Sequence, residues 1–209
     1  MNEKTKSILK EIWEWAYTIA IAVAVAMLIK GFLFDIVKVD GSSMYPTLHN
    51  SDRLIVRKIG YTPKQGDIII LDAHYKAREA YYDKKAEAKG KDSLSFVEKL
   101  FTNVPESLER RYYVKRIIAL PGQTVDIKDG RVYVDGLILD EAYYDGITNP
   151  TDSNVSYPIT VSPNMVFVLG DNRGNSTDSR ISSLGEVPFD AIQGKAIFRI
   201  YPFSSIGTV

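Results

Sequence analysis

Tyr112-Tyr113-Val114-Lys115-Arg116-Ile117-Ile118-Ala119-Leu120-Pro121-Gly122 is the stretch on which the fold turns. The aromatic and β-branched residues Tyr112, Tyr113, Val114, Ile117 and Ile118 predict a long strand as far as Leu120. Pro121-Gly122 ends it, because proline offers no N–H to a ladder and glycine accepts the backbone angles of a turn. Side chains alternate along a strand, so Tyr113, Lys115 and Ile117 share one face while Val114, Arg116 and Ile118 share the other. The adjacent lysine and arginine therefore point apart, and one of them faces an apolar environment. A lysine that loses about 3 to 4 kcal/mol of ammonium hydration there becomes a neutral amine, able to act as a general base near neutral pH. Arginine cannot do this. The plainer alternative is a solvent-facing lysine guarding a sheet edge.

The same texture continues outward. Arg53-Leu54-Ile55-Val56-Arg57 reads as a strand, and Gly66-Asp67 opens Ile68-Ile69-Ile70-Leu71, an apolar run that suits a strand covered on both faces. Thr124 to Ile127 and Arg131 to Val134 are joined through Asp129-Gly130, a hairpin signal. Met165 to Leu169 and Lys195 to Tyr201 complete a mainly β domain. The exception is the stretch 74–111, rich in Lys, Glu, Ala and Tyr, where Leu94, Val97, Leu100 and Phe101 repeat at helical spacing. It reads as a helical or partly mobile insertion, a solvated excursion rather than a carrier of chemistry.

Before the β-rich body, the chain carries no charge from Trp15 to Ile29 and resumes apolar after Lys30. A bilayer core asks for about twenty mostly apolar residues. Residues 13–34 reach that length if Lys30 snorkels, with Trp13, Trp15 and Tyr17 at one interface and Phe32 and Phe34 at the other. A cleaved secretory signal is the alternative, but Gly31-Phe32-Leu33 is a poor cleavage pattern. The expectation is an uncleaved single-pass anchor at 13–34, a short cytoplasmic start at 1–12, and an extracytoplasmic domain at 35–209 holding the insertion at 74–111. The positive-inside rule leans weakly to that orientation.

With 26 basic and 26 acidic residues in 209, there is no cationic excess to hold a phosphate backbone, so no nucleic-acid partner is expected. The absence of cysteine removes thiol nucleophiles, disulfides and cysteine-based metal sites. With only His49 and His74, a Ser-His-Asp triad would need one of these, and His49 reads as a surface group.

Two further stretches carry chemistry. Val39-Asp40-Gly41-Ser42-Ser43-Met44-Tyr45-Pro46-Thr47-Leu48 presents a serine on a small-residue approach, braced by apolar bulk and a proline that fixes the chain direction. A serine nucleophile needs that stillness together with a nearby base, although a polar turn has the same composition. Gly170-Asp171-Asn172-Arg173-Gly174-Asn175-Ser176-Thr177-Asp178-Ser179-Arg180 concentrates polar groups in one loop. Arg173 breaks the ligand pattern of a calcium loop, so no metal is expected. The better reading is a loop cross-braced by Asp171 or Asp178 with Arg180, offering Ser176 as an orienting hydroxyl.

Four ordered motifs, Gly-Ser-Ser-Met-Tyr-Pro-Thr-Leu at 41–48, Gly-Asp-Ile-Ile at 66–69, Tyr-Val-Lys-Arg-Ile-Ile-Ala-Leu-Pro-Gly at 113–122 and the loop at 170–180, resemble the type I signal peptidases. These are membrane-bound serine proteases that remove signal peptides from exported proteins, and the single anchor resembles the Gram-positive forms. The resemblance implies an antiparallel β-sheet catalytic domain in which Ser43 is the nucleophile and Lys115 the general base. It implies that Ser176 holds the lysine amine and that Asp178 supports the site through Arg180. The Ser43 N–H would be one oxyanion donor. Some relatives carry a serine hydroxyl where this chain has Gly41, so the resemblance supplies no second donor. It matches Val37, Val39, Met44, Leu48, Tyr113 and Val114 to the shallow pockets that accept small residues in an Ala-x-Ala pattern. It further implies preproteins as substrates, a lipid bilayer as partner and no cofactor. Two rivals stand beside it: a self-cleaving Ser-Lys repressor, against which the anchor argues, and a silent membrane scaffold, against which the pairing of Ser43 with Lys115 argues.

Overall fold

A computed structural model describes residues 3–28 and 33–209 of the chain. Helix α1 spans Glu3–Leu28. The strands that follow are β1 Phe34–Lys38, β2 Arg53–Arg57 and β3 Ile68–Asp72. Two helices, α2 Tyr75–Glu87 and α3 Phe96–Phe101, precede β4 Tyr112–Ala119, β5 Thr124–Lys128, β6 Arg131–Val134, β7 Leu137–Ile138 and β8 Ile159–Thr160. The chain ends through β9 Met165–Leu169, β10 Val187–Pro188, β11 Ile192–Tyr201 and β12 Gly207–Thr208.

The larger sheet runs β1-β2-β11-β3-β4-β9-β10, with β12 paired to β11, and the smaller runs β7-β6-β5-β8. Neighbouring strands are antiparallel throughout, as in the pairing of Ile69 with Lys115 and of Ile68 with Arg116. β3 is buried along its whole length, as its unbroken apolar run requires. Ile68 and Ile70 join Leu48, Leu54, Val56 and Met44 on one face, while Ile69 and Leu71 join Ile117, Val166 and Val168 on the other. A further core of Ile118, Val125, Ile127, Phe167 and Leu169 links β4 and β9 of the larger sheet to the smaller one. The Asp129-Gly130 turn has both residues at positive φ, 52° and 74°, the geometry such a two-residue hairpin needs.

The insertion leaves the sheet at Asp72 and returns at Tyr112, and these two residues are register partners. It is therefore an enlarged β3–β4 hairpin end. A buried ion pair between Asp72 and Arg78 roots α2 on the sheet. The apolar repeat at its centre divides. Leu94 packs on Tyr82 and Ala86, whereas Val97, Leu100 and Phe101, on a helix capped by Ser95 and Glu98, stay exposed.

The expected membrane-spanning anchor at 13–34 is not supported by the structure. Among the described residues no helix is long and apolar enough to cross a membrane. Residues 29–32, which the expected span includes together with Lys30 and Phe32, lie outside the described residues. Glu14 interrupts the run at the other end, and Phe34, assigned to the span, instead opens β1 opposite Arg57. What α1 does present is a series of exposed apolar side chains, among them Trp13, Trp15, Tyr17, Ile19, Ile21 and Met27.

Candidate active site

The segment after β1 is pinned before it reaches Ser43. Val39 exchanges backbone hydrogen bonds with the 51–52 region: its N–H donates to the Asp52 carbonyl at 2.8 Å and its carbonyl accepts from Ser51 N–H. Gly41 takes φ +95°, a value that suits glycine, and its N–H donates to Asn50 Oδ1 at 3.1 Å. Met44 and Leu48 then sink into the core beneath, both almost fully buried. Ser43 is held above them at a cleft of about 580 Å³.

Lys115 arrives from β4. Its Nζ donates to Ser43 Oγ at 2.8 Å and to the Val114 carbonyl at 3.0 Å, and the residue is only 2% exposed. Burial strips hydration from the ammonium and lowers its pKa to about 8, against the pull of Asp178 and Asp171 in the other direction. Arg116, on the opposite face, forms two hydrogen bonds to Asp171 at 2.7 and 2.9 Å and stacks on the Tyr143 ring at 3.8 Å. The choice between lysine and arginine that alternation left open is thus resolved by register: Lys115 takes the buried place and Arg116 the charged partner.

The loop at 170–180 closes the other side. Asp178, with no exposed surface, accepts from Arg180 Nε and Nη2, both at 2.9 Å, and from the Gly170 N–H at 3.1 Å. Arg180 Nη2 also donates to the Arg173 carbonyl at 2.7 Å, so the pair knits both ends of the loop. Asp171 is tied instead to Arg116 and to Thr47, whose hydroxyl donates at 2.5 Å. Gly170 lies so near the serine segment that a β-carbon there would stand 2.5 Å from the Ser43 carbonyl oxygen and closer still to Ser176 Oγ.

Ser43, Lys115 and Ser176 line one cleft with Val37, Val39, Met44, Tyr113 and Val114. Leu48 does not. It is fully buried among Met44, Leu54 and Val56, because its position four residues past Met44 directs it into the core rather than the cleft. Ser176 is close by but makes no hydrogen bond to Lys115; its Oγ is buried and has no partner among the described residues. His49 is exposed and packs edge-on to Tyr45 at 5.2 Å. His74 contacts the Glu109 carbonyl at 2.8 Å within the insertion. Residues that sequence reasoning did not single out are Asn172 and Asn175. The Asn172 N–H donates to the Ser43 carbonyl at 3.0 Å and its Nδ2 to the Ser42 carbonyl at 3.1 Å, while Asn175 Nδ2 donates to Ser42 Oγ at 2.8 Å. Their type in a turn-rich loop is too common to have been a signal.

A serine hydroxyl against a desolvated amine can pass its proton to that amine, which is the chemistry of a hydrolase working by an acyl intermediate. A profile of signal peptidases, peptidase S26, matches residues 12–201. The chain belongs to that family, as a serine peptidase of the type I signal peptidases. It is 36% identical to Signal peptidase I S of Bacillus subtilis (strain 168), over 99% of this chain and 98% of that protein. To Signal peptidase I T of the same strain it is 35% identical, over 92% of this chain and 87% of that protein. A crystal structure of a signal peptidase I from Enterococcus faecalis V583 is 24% identical and covers 65% of this chain and 97% of that chain, with a TM-score of 0.39.

Proposed function

We propose that this chain is a membrane-attached endopeptidase that removes signal peptides after small residues in an Ala-x-Ala pattern, with Ser43 as nucleophile and Lys115 as general base. The observation that carries the reading is the 2.8 Å contact between Lys115 Nζ and Ser43 Oγ at a lysine almost fully withdrawn from water. With its pKa near 8, a useful fraction of Lys115 is a neutral amine at physiological pH. The amine takes the Ser43 Oγ proton as Oγ bonds to the substrate carbonyl carbon, and the carbonyl electron pair moves onto oxygen. The C–N bond then breaks and the departing amine takes the proton from the Lys115 ammonium. The neutral lysine next takes a proton from water as the water oxygen bonds to the ester carbonyl carbon. The C–Oγ bond then breaks, Oγ takes the proton back from the ammonium, and the carboxylic acid product leaves with Ser43 and Lys115 restored.

The Ser43 N–H, which donates to no other group among the described residues, is the first donor to the oxyanion. Asp178 and Arg180 act through the loop they brace. Ser176, whose buried hydroxyl has no partner among the described residues, takes up the lysine amine as it changes protonation. Substrate binding is supported by β4, which pairs with β9 only from Arg116 onward. Residues 112–115 therefore have an open side that faces Val37 to Asp40 across the cleft, where an extended peptide can add as a strand. Val37, Val39, Met44, Tyr113 and Val114 give that peptide apolar walls. The exposed apolar series on α1, together with exposed Leu33, Phe34 and Ile36, supports attachment to a lipid bilayer, and the side proposed for the catalytic domain is the extracytoplasmic one, where exported preproteins emerge. Enzyme and substrate then meet in one plane at raised effective concentration.

The test is cleavage of a preprotein by the full chain in liposomes, with the products weighed by mass spectrometry. A cut after the second alanine that is lost when either alanine becomes leucine supports the reading. A cut elsewhere, or one indifferent to leucine, overturns it.

A further inference from the structure

A serine peptidase needs more than a nucleophile and a base. The donor that receives the developing oxyanion must be fixed in direction before the reaction, since a preorganised dipole is worth far more than one that must turn. In this chain the burden on the Ser43 N–H is heavy, because Gly41 offers no hydroxyl. What sets the direction of that N–H is the plane of the peptide joining Ser42 to Ser43. In a trans peptide the carbonyl and the N–H point opposite ways in one plane, so a group that grips the Ser42 carbonyl aims the Ser43 N–H.

Asn172 grips it. Its Nδ2 donates to the Ser42 carbonyl at 3.1 Å, and its own N–H donates to the next carbonyl, that of Ser43, at 3.0 Å. Asn175 adds a third tether from Nδ2 to Ser42 Oγ at 2.8 Å. All three bonds come from one side, the 170–180 loop, which reaches that close because Gly170 has no β-carbon to strike the Ser43 carbonyl. The Ser43 N–H, on the far side of its peptide from Asn172, is left facing away from the loop. We propose that Asn172 is a positioning residue for catalysis, aided by Asn175. It locks the Ser42–Ser43 peptide plane so that the Ser43 N–H is aimed at the oxyanion. The proposal rests on the Ser-Lys reading above, and it makes the loop an aiming device for the donor as well as a wall of the cleft.

The experiment uses the full chain in detergent with an Ala-x-Ala peptide substrate and the matching peptide aldehyde, which forms a tetrahedral adduct. Asn172→Asp keeps the shape but removes the Nδ2 donor. Its kcat should fall about 10- to 100-fold, the scale of a misaimed oxyanion donor. With kcat compared on the high-pH plateau of each profile, KM should stay within about twofold and the aldehyde affinity should fall by the same factor as kcat; the new carboxylate pulls the Lys115 midpoint up, as Asp178 and Asp171 do, and not down. Asn175→Ala, at an exposed position that does not endanger folding, should lose about 5-fold in kcat with the same pattern in KM and aldehyde affinity and serves alone if Asn172→Asp does not fold. Parental kcat in the folded variants, a loss confined to KM, or retained aldehyde affinity overturns the proposal. Ser43→Ala separates the two levels. If it still cuts, the Ser-Lys reading itself fails; if it is silent while the asparagine variants cut at the parental rate, only the aiming role fails.

Discussion

Replacing Lys115 with methionine should abolish cleavage and yet make the protein more stable at neutral pH. Burial holds the folded-state pKa of Lys115 near 8, below the ordinary lysine value of 10.5. At about 1.36 kcal/mol per pH unit, that difference amounts to roughly 3 kcal/mol. Below pH 8 the lysine is charged in both states, and the folded state bears the whole cost of the buried ammonium. Between pH 8 and the ordinary lysine range the folded state has released the proton and the unfolded state still holds it. The unfolded state then binds more protons, so parental stability rises with pH across that window. Methionine fills the space without a charge but leaves Ser43 Oγ and the Val114 carbonyl without their donor, a loss of about 1 kcal/mol. Lys115→Met should therefore exceed the parent by about 2 kcal/mol at pH 7, and the gap should close by about pH 10. Urea unfolding of the full chain in detergent, followed by circular dichroism from pH 6 to 10, reads this directly. Tryptophan fluorescence would not, because Trp13 and Trp15 both lie on α1. A variant less stable than the parent at pH 7, or a gap that does not change with pH, refutes the reasoning.

Other perturbations separate site from scaffold. Gly170→Ala forces a β-carbon onto the Ser43 carbonyl and Ser176; kcat should drop at least about 100-fold, with about 1 to 3 kcal/mol lost in urea, and a parental rate would contradict the close approach. Asp178→Ala leaves the buried Arg180 guanidinium without its partner, so unfolding should move by about 3 to 5 kcal/mol; a shift under about 1 kcal/mol would show that the pair does not brace the loop. Ser176→Ala removes a buried hydroxyl that has no partner among the described residues. Stability should hold or rise by about 1 kcal/mol while kcat falls about tenfold, and an unchanged kcat would end its supporting role.

The strands were legible wherever one local rule was enough. Alternation or an unbroken apolar run marked 53–57, 68–72, 131–134 and 165–169 almost to the residue, and Asp129-Gly130 named its own turn. β1 was hidden because Phe34 to Lys38 continues the apolar text of the preceding helix, and only its pairing with β2 distinguishes a strand from the end of a span. The two-residue strands at 159–160 and 187–188 are defined by partners far along the chain, in β5 and β9, and those at 137–138 and 207–208, though they pair with nearby β6 and β11, are too short for alternation to show. The site followed the same division. Alternation showed that Lys115 and Arg116 must part, yet it could not say which was buried, since that depends on β3 and on the segment carrying Ser43. Asp171 and Asp178 both looked able to hold Arg180. The fold gives Asp178 to Arg180 and Asp171 to Arg116, a pairing across 55 residues. Leu48 looked like a cleft residue by proximity to Ser43, but the path from Met44 turns it inward. Asn172 and Asn175 act through three hydrogen bonds to a segment about 130 residues away, which no spacing rule expresses.

The most direct test of the central claim is the pH dependence of kcat/KM for an Ala-x-Ala substrate, measured from pH 6 to 10 on the full chain beside Lys115→Ala. If Lys115 is the base for Ser43, the parental rate rises with pH through a midpoint near 8, as the ammonium gives up its proton, and the variant shows no activity at any pH. A parental profile without a midpoint in that range, or a variant that cuts with the parental profile, would contradict the account.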